Sequence, residues 1–347
     1  MKTFPKFILY ITILFCHCKS LAQNLVDEEK LRDIDWLLTE KVEYGFSGSV
    51  LISENDNVMF AKGYGLADRE HNNHNTENTK FEIASVTKLF TVVSILQLAE
   101  RGKLSLNDKI DKHLGNFNTP KNQATINHLL LHTGGLVPRG FELDYNTRTG
   151  FVQSVKNAPV ESIPGEKYRY TNAGYTLLAA IIEEVSQMPY EDYLSENIFK
   201  PLNLTNTTFG FEDSLQNVAN GYAGNTIDSL ELYKTPEYVW GDRGPSGIIT
   251  NVTDLNKFLN GLDNNKLLGS AYLQKMYSEQ MEGEAYGFHI IDRPDIGKVL
   301  ARGGGLRNFE SQIAWYKIQN IKVIILINNH LRTRQPIWDG IEKILFE

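Results

Sequence analysis

The chain has 347 residues, of which 41% are hydrophobic and 22% charged, and its formal net charge is −7. This is the composition of a globular protein with enough length to bury a large core. The acidic balance disfavours nucleic-acid binding. No segment beyond the N-terminal region is apolar for long enough to form a membrane-spanning helix.

The N-terminal region is typical of a secretory signal peptide. Lys2 and Lys6 precede an apolar run over residues 7–15, and Ser20-Leu21-Ala22 places small residues where a signal peptidase reads them. The apolar run is too short to span a bilayer. We therefore expect residues 1–22 to be removed and the mature chain to be exported, to the periplasm or the extracellular space.

Both cysteines of the chain, Cys16 and Cys18, lie inside this segment. A lipoprotein anchor on Cys16 is an alternative to cleavage, and the bulky Phe15 before it disfavours that pathway. After cleavage the chain has no thiol, and so no disulfide, thiolate nucleophile or cysteine-bound zinc. Removal of residues 1–22 also takes away three lysines and no acid, which moves the net charge from −7 to about −10.

The mature chain is predicted to open with a helix followed by a hairpin. Asp27 can cap the helix and Gly45 can end it. Its apolar face consists of Leu31, Ile34, Leu38 and Val42. Residues 46–53 and 58–63 are predicted strands, joined by the turn residues 55–57. This order indicates an antiparallel sheet with a helix on one face.

Two histidine pairs have spacings that metal ligands also show. His71 and His74 lie in the polar stretch 68–80, and a solvated surface loop is the interpretation that we favour there. His128 and His132 are one helical turn apart, without an acidic residue between them. A buried helix end with hydrogen-bonded histidines is favoured over a zinc site at this position.

An apolar helix is predicted from Val86 to Arg101, because apolar residues recur at helical spacing with no Gly or Pro before Gly102. Ser85 precedes this helix, and Lys88, one turn later, falls on the same face. A serine in contact with a lysine at a helix start has the parts of an activated nucleophile. The alternative is a capping serine followed by a surface lysine. Ser85 is the one serine with a lysine three residues later, and it is our candidate nucleophile.

A second candidate element is Tyr170-Thr171-Asn172, which follows a Pro-Gly turn. In an extended segment, residues two apart point the same way, so Tyr170 and Asn172 can face one cleft. The phenol could relay a proton, and the amide could hold a substrate carbonyl. A tyrosine packed before a helix N-cap is the alternative. Helices are predicted next, over residues 173–186 and 190–199.

The last third of the chain returns to strands. Helices are predicted over residues 254–262 and 337–346, and strands over 286–291, 299–302, 310–317 and 322–327. Strands at the two ends of the chain most simply form one sheet. We therefore expect a single domain over 23–347, with a sheet lobe from about 23–80 and 241–347 and a helical lobe from about 81–240.

A third candidate element is Arg302 with the glycines that follow it. Three glycines after a strand let a backbone come very close to another group. Gly303 and Gly305 are therefore candidates for contact with a substrate lying along the strand edge, where a backbone N–H can act as an oxyanion donor. A flexible turn is the alternative.

The order of these elements resembles that of the penicillin-recognising serine hydrolases, which include class C β-lactamases, DD-peptidases and related esterases. The likeness extends in order over residues 63–68, 81–89, 102–108, 128–136, 164–165, 201–204 and 247–254. It implies a β-lactamase/transpeptidase-like fold of the α/β (α+β) class. In this fold, N- and C-terminal helices flank an antiparallel sheet, a mostly helical lobe is inserted, and the site lies between the two.

The resemblance also implies roles. Ser85 would be acylated by the substrate carbonyl, and Lys88 and Tyr170 would share the role of the base as a coupled pair. Asn172 would orient the substrate, and the backbone N–H groups of Ser85 and Gly305 would form the oxyanion hole. No metal or organic cofactor is implied. The expected partner is a small-molecule or peptide substrate cleaved at an amide or ester bond: a D-amino-acid peptide, a β-lactam or a small ester.

Two positions depart from the family pattern. Arg302 stands where Lys or His is usual, and Asn308 stands at a usual glycine. Arginine does not release its proton, but it can bind a carboxylate through two nitrogens. We therefore expect a substrate with an anionic group near the scissile bond. The same departure keeps open an alternative function, a catalytically impaired binding protein for peptidoglycan-type peptides.

Overall fold

The computed structural model describes residues 25–137, 142–210 and 215–347. The predicted signal peptide over residues 1–22, with Cys16 and Cys18, lies outside the described residues. None of the helices in the described ranges is long and apolar enough to cross a membrane.

The helices of the described chain lie mostly in its middle. They are α1 Glu28–Glu43, α2 Thr87–Glu100, α3 Asp111–Leu114, α4 Ile126–Leu130, α5 Arg148–Asn157, α6 Asn172–Ser186, α7 Tyr190–Leu194, α8 Val252–Asp263, α9 Ser270–Tyr277 and α10 Arg334–Phe346. A π-helical turn, Ser195–Phe199, continues α7, so that the single helix predicted over residues 190–199 changes its hydrogen-bond pattern midway.

The strands are β1 Gly48–Glu54, β2 Asn57–Tyr64, β3 Leu66–Asp68, β4 Asn73–His74, β5 Phe81–Glu82, β6 Thr208–Phe209, β7 Tyr222–Ala223, β8 Glu231–Leu232, β9 Ile248–Thr250, β10 His289–Arg293, β11 Gly297–Gly305, β12 Glu310–Tyr316 and β13 Ile321–Ile327. Six of them form an antiparallel sheet in the order β10-β11-β12-β13-β1-β2. The pairing of β1 with β13 joins the two ends of the chain, which confirms the expected sheet.

Both faces of this sheet are covered by helices, and the alternation of side chains along β13 shows how. Val323 and Ile325 belong to the apolar core that includes Ile34 of α1 and Ile341 of α10. Ile324, which points the other way, belongs to the larger core that contains α2, α6 and α8. Every residue of β13 is buried, as a central strand between two helical layers requires.

The central helix α2 fixes the position of the candidate nucleophile. Its residues are all buried except Glu100, and the Phe90 ring stacks on Phe258 of α8 with centroids 4.0 Å apart. A helix that is apolar all round belongs in the interior of a large domain. The turn at the N-terminus of α2 lies against β11 and β12 of the sheet.

Two predicted strands differ in extent from the observed ones. The strand predicted over residues 299–302 continues as β11 through the three glycines, so Gly303–Gly305 is strand and not a flexible turn. The pairing with β12 explains this, because Gly303, Gly304 and Gly305 lie opposite Gln312, Ser311 and Glu310. The neighbouring strand β10 begins at His289, later than the predicted residue 286.

Candidate active site

Ser85 lies on a tight 3₁₀ turn, Ala84–Val86, between β5 and α2. Ala84 has φ of +47°, in the left-handed region that a residue with a side chain rarely adopts. The turn is held by a hydrogen bond of 2.8 Å from Ser311 Oγ on β12 to the carbonyl oxygen of Ile83. Backbone strain of this kind persists only where the surrounding contacts impose it, and it concentrates at functional sites.

The structure brings the predicted polar residues into contact. Ser85 Oγ is 2.8 Å from the hydroxyl of Tyr170 and 3.2 Å from Lys88 Nζ. Lys88 Nζ also donates to Asn172 Oδ1 at 2.9 Å and to the carbonyl oxygen of Pro245 at 3.0 Å. The hydroxyl of Ser85 therefore has two neighbours that can accept or pass on its proton.

Lys88 is completely buried, which is unusual for a lysine side chain. Burial, followed by the nearby positive charge of Arg302, holds its pKa well below the ordinary value of 10.5. A neutral amine has a lone pair that can accept a proton, whereas an ammonium group has none. The surroundings of Lys88 thus supply the condition that a lysine base needs.

Arg302 is also buried, with 2% of its surface exposed. Its Nε donates to the carbonyl oxygen of Ser85 at 3.1 Å, and its Nη2 lies 3.5 Å from the hydroxyl of Tyr170. The guanidinium group therefore faces the nucleophile turn and the phenol rather than the open cleft. Its predicted role in binding a substrate carboxylate stays a prediction, while its charge acts on Lys88.

The glycines after Arg302 meet the nucleophile turn from β11. A Cβ atom on Gly304 would lie 2.6 Å from the carbonyl oxygen of Ile83 and 2.9 Å from the backbone nitrogen of Ser85. Only glycine permits this approach without displacement. At Gly305 the nearest atom to such a Cβ would be His330 Cε1, at 3.9 Å. The strand end thus runs beside Ser85, where the predicted oxyanion donors would be needed.

His132 lies beside the site, although the sequence predicts only a structural role for it. It follows α4, is buried, and its ring centroid is 4.4 Å from that of Tyr170. Its Nδ1 accepts a hydrogen bond from the Thr171 N–H at 3.3 Å. Burial, followed by the charge of Arg302, holds the pKa of His132 well below 6.5, so the ring is neutral.

Pro245 has no signal in the sequence, because its backbone carbonyl, not its side chain, accepts a hydrogen bond from Lys88. Two histidines of the predicted pairs make contacts outside the Ser85 cluster. His71 Nδ1 is 2.6 Å from Asp68 Oδ2 on the surface, and Thr125 N–H donates to His128 Nδ1 at 3.3 Å. In the part of the chain that the structure describes, no three His, Cys, Asp or Glu side chains form a group that could hold a metal ion.

Comparison with known proteins identifies the family of the chain. A family model described as beta-lactamase matches residues 34–342. The chain belongs to the beta-lactamase family. This confirms both the resemblance of the motifs and the expected fold.

Two relatives with similar sequences show how far the likeness extends along the chain. Protein flp from Staphylococcus aureus (strain MRSA252) is 30% identical over 315 residues, which cover 86% of this chain and 62% of that protein. The chain therefore spans less than two thirds of that relative. Penicillin-binding protein 4* from Bacillus subtilis (strain 168) is 28% identical over 333 residues, covering 88% of this chain and 73% of that protein.

Among solved structures, the octameric penicillin-binding protein homologue from Pyrococcus abyssi superimposes with a TM-score of 0.79 at 26% identity. The match covers 92% of this chain and 77% of that one. The beta-lactamase fold is therefore shared over nearly the whole chain described here.

Proposed function

We propose that this member of the beta-lactamase family is a serine hydrolase that forms an acyl-enzyme on Ser85 and cleaves amide or ester bonds. One observation carries the proposal: Ser85 Oγ lies within hydrogen-bond distance of both the Tyr170 hydroxyl and a buried Lys88 amine. A surface serine and a solvated lysine would not have this arrangement.

In the proposed reaction, the Ser85 hydroxyl attacks the substrate carbonyl carbon and its proton passes to the Tyr170–Lys88 pair. The carbonyl oxygen becomes an oxyanion, which the backbone N–H groups of Ser85 and Gly305 would stabilise. As the tetrahedral intermediate collapses, the pair returns the proton to the leaving amine or alcohol. A water molecule then cleaves the ester bond to Ser85 by the same sequence of proton transfers.

The remaining residues prepare this step. Asn172 and the Pro245 carbonyl hold the Lys88 amine beside Ser85, and Asn172 would also orient the substrate. Arg302 does not transfer a proton in this scheme. After burial, its positive charge is the second cause that lowers the pKa of Lys88. The guanidinium group also lies beside the phenol oxygen of Tyr170.

A substrate panel tests the proposal. The protein would be assayed with a chromogenic cephalosporin, nitrophenyl esters and D-Ala-D-Ala peptides, with Ser85→Ala as the matched control. We expect turnover of at least one class and its loss in Ser85→Ala. If no acyl donor is turned over and none labels Ser85, the chain is instead a binding protein of the same fold.

We also propose that the chain is exported, on the basis of the predicted signal peptide. The test is N-terminal sequencing of the protein recovered from outside the cytoplasm. A mature N-terminus at Gln23 supports cleavage after Ala22. A lipid-modified Cys16 supports the anchor, and an intact Met1 contradicts both.

A further inference from the structure

His132 binds the segment that carries Tyr170 and Asn172 at two points. Its backbone carbonyl oxygen accepts a hydrogen bond from the Arg169 N–H at 2.8 Å. Its ring Nδ1 accepts one from the Thr171 N–H at 3.3 Å. One residue therefore binds the backbone on both sides of Tyr170, which limits where the phenol can point.

The ring of His132 also contacts the rings of two tyrosines. Its centroid is 4.4 Å from that of Tyr170 and 5.0 Å from that of Tyr175. Tyr175 is fully buried, and its hydroxyl donates to the carbonyl oxygen of Leu130 on α4 at 3.0 Å. Tyr170 is 45% exposed, so its position depends on the contacts of its buried side. His132 supplies both a backbone contact and a ring contact on that side.

Packing alone does not account for a histidine at position 132. The φ angle of His132 is +56°, in the left-handed region where His, Asn and Asp are enriched. Its Nε2 is buried and has no hydrogen-bond partner among the residues that the structure describes. An apolar ring would fill the space without burying this polar atom, but it would leave the Thr171 N–H without its acceptor. The hydrogen bond to Thr171 is therefore what the histidine adds.

This hydrogen bond requires a neutral ring. Nδ1 accepts only while it carries no proton, so the proton of the neutral ring lies on Nε2. Burial, followed by the charge of Arg302, holds the pKa of His132 well below 6.5, and Lys88 and His289 add to this effect. The acceptor for the Thr171 N–H is therefore present at neutral pH.

We propose that His132, as the acceptor for the Thr171 N–H, is a positioning residue that holds Tyr170 against the nucleophile. The proposal rests on the hydrolase function proposed above. Little movement is tolerated, because the Tyr170 hydroxyl is 2.8 Å from Ser85 Oγ. A shift of about 1 Å in the segment would take this pair out of hydrogen-bond range.

Two substitutions separate the hydrogen bond from the ring contact. His132→Asn keeps an acceptor and tolerates the left-handed conformation, but it has no ring. His132→Phe keeps a ring and has no acceptor. With a neutral fluorophosphonate, we expect Ser85 to be labelled about tenfold or more slowly in His132→Phe, as for loss of one hydrogen bond, and within about threefold of the wild-type rate in His132→Asn.

The matched control is His128→Phe. The Thr125 N–H donates to His128 Nδ1 at 3.3 Å, so this variant loses a bond of the same kind and length at the start of α4. We expect it to lower the thermal midpoint and to change the labelling rate by less than about twofold. A wild-type labelling rate in folded His132→Phe, or equal losses in the two His132 variants, would overturn the proposal.

A double-mutant cycle tests whether His132 acts through Tyr170. In a Tyr170→Phe background, which lacks the hydroxyl, His132→Phe should slow labelling by less than about twofold further. The same tenfold loss in both backgrounds would mean general damage to the fold and would overturn the proposal. His132→Leu is a smaller variant without an acceptor and should behave like His132→Phe if the larger ring prevents folding.

Hydrogen exchange at the Thr171 amide gives a readout that needs no catalysis. Exchange should be faster than wild type in His132→Phe and close to wild type in His132→Asn. Unchanged exchange in His132→Phe would overturn the proposal whatever the activity. If exchange responds as expected but wild-type Ser85 is never labelled, the hydrolase function fails and the ordering of this segment by His132 stands.

Discussion

The contact between Gly304 and the nucleophile turn yields the sharpest prediction. In Gly304→Ala the new methyl group would lie 2.4 Å from Ser311 Oγ, 2.6 Å from the Ile83 carbonyl oxygen and 2.9 Å from the Ser85 nitrogen. The serine hydroxyl can rotate away, but the other two atoms are backbone. Reaching an ordinary contact of 3.4 Å from the carbonyl oxygen requires a displacement of about 0.8 Å.

The size of the effect follows from this displacement. A shift of about 1 Å in a catalytic group costs on the order of 100-fold in rate, and overpacking costs about 1–3 kcal/mol of stability. Gly305→Ala is the matched comparison, because the nearest atom to its methyl group would be 3.9 Å away and the backbone N–H is kept. We expect Gly304→Ala to acylate roughly 100-fold more slowly than wild type, and Gly305→Ala to lose no more than about threefold.

The assay is the second-order rate of Ser85 labelling by a fluorophosphonate, measured together with the thermal midpoint of each variant. If Gly304→Ala is labelled at the wild-type rate, or if the two variants lose the same activity, β11 does not position the nucleophile turn. A folded Gly304→Ala protein with slow labelling would support the account.

Three further predictions concern charge and proton transfer. In Arg302→Gln the loss of a positive charge should raise the pKa of Lys88. The acidic limb of the pH–rate profile should therefore move to higher pH. An unchanged limb would show that Arg302 does not act on the Lys88 amine. In Tyr170→Phe the rate should fall about 100-fold or more with little change in thermal midpoint, because the hydroxyl is 2.8 Å from Ser85 Oγ and the side chain is 45% exposed. Burial and the nearby Asp242 raise the pKa of Glu82 from 4.5 to about 7. Deprotonation of Glu82 therefore lowers the free energy of unfolding as pH rises from about 4.5 to 7, and above pH 7 the loss is about 3 kcal/mol. Glu82→Gln should therefore raise the thermal midpoint at pH 8 and not at pH 4, and an equal change at both would contradict this assignment.

Local spacing predicts which residues lie together within each segment, and the family resemblance predicts that the two segments meet at one site. Ser85 and Lys88 are one helical turn apart, and Tyr170 and Asn172 are one extended step apart. Such relations depend on the backbone of each segment alone. The structure places all four in a single hydrogen-bonded cluster. The order of strands along the chain also predicts the sheet, because strands at the two ends of the chain most simply form one sheet around an inserted helical lobe.

Features that depend on contacts distant in sequence were not accessible in this way. The sequence predicts that the glycines 303–305 let a backbone come close to another group, and it leaves a flexible turn open as the alternative. Their pairing with β12 and their approach to Ser85 are not visible there. The same holds for Arg302, whose orientation toward the Ser85 carbonyl is set by burial of β11. The Pro245 carbonyl has no side-chain signature at all.

The proposed mechanism depends on acylation of Ser85. The most direct measurement is intact-protein mass spectrometry after brief incubation with an acyl donor that forms a stable adduct, followed by peptide mapping. The account predicts one adduct per chain, located on Ser85, formed faster as pH rises through the ionisation of Lys88 and absent from Ser85→Ala. An adduct on another residue, or an unchanged yield in Ser85→Ala, would contradict it.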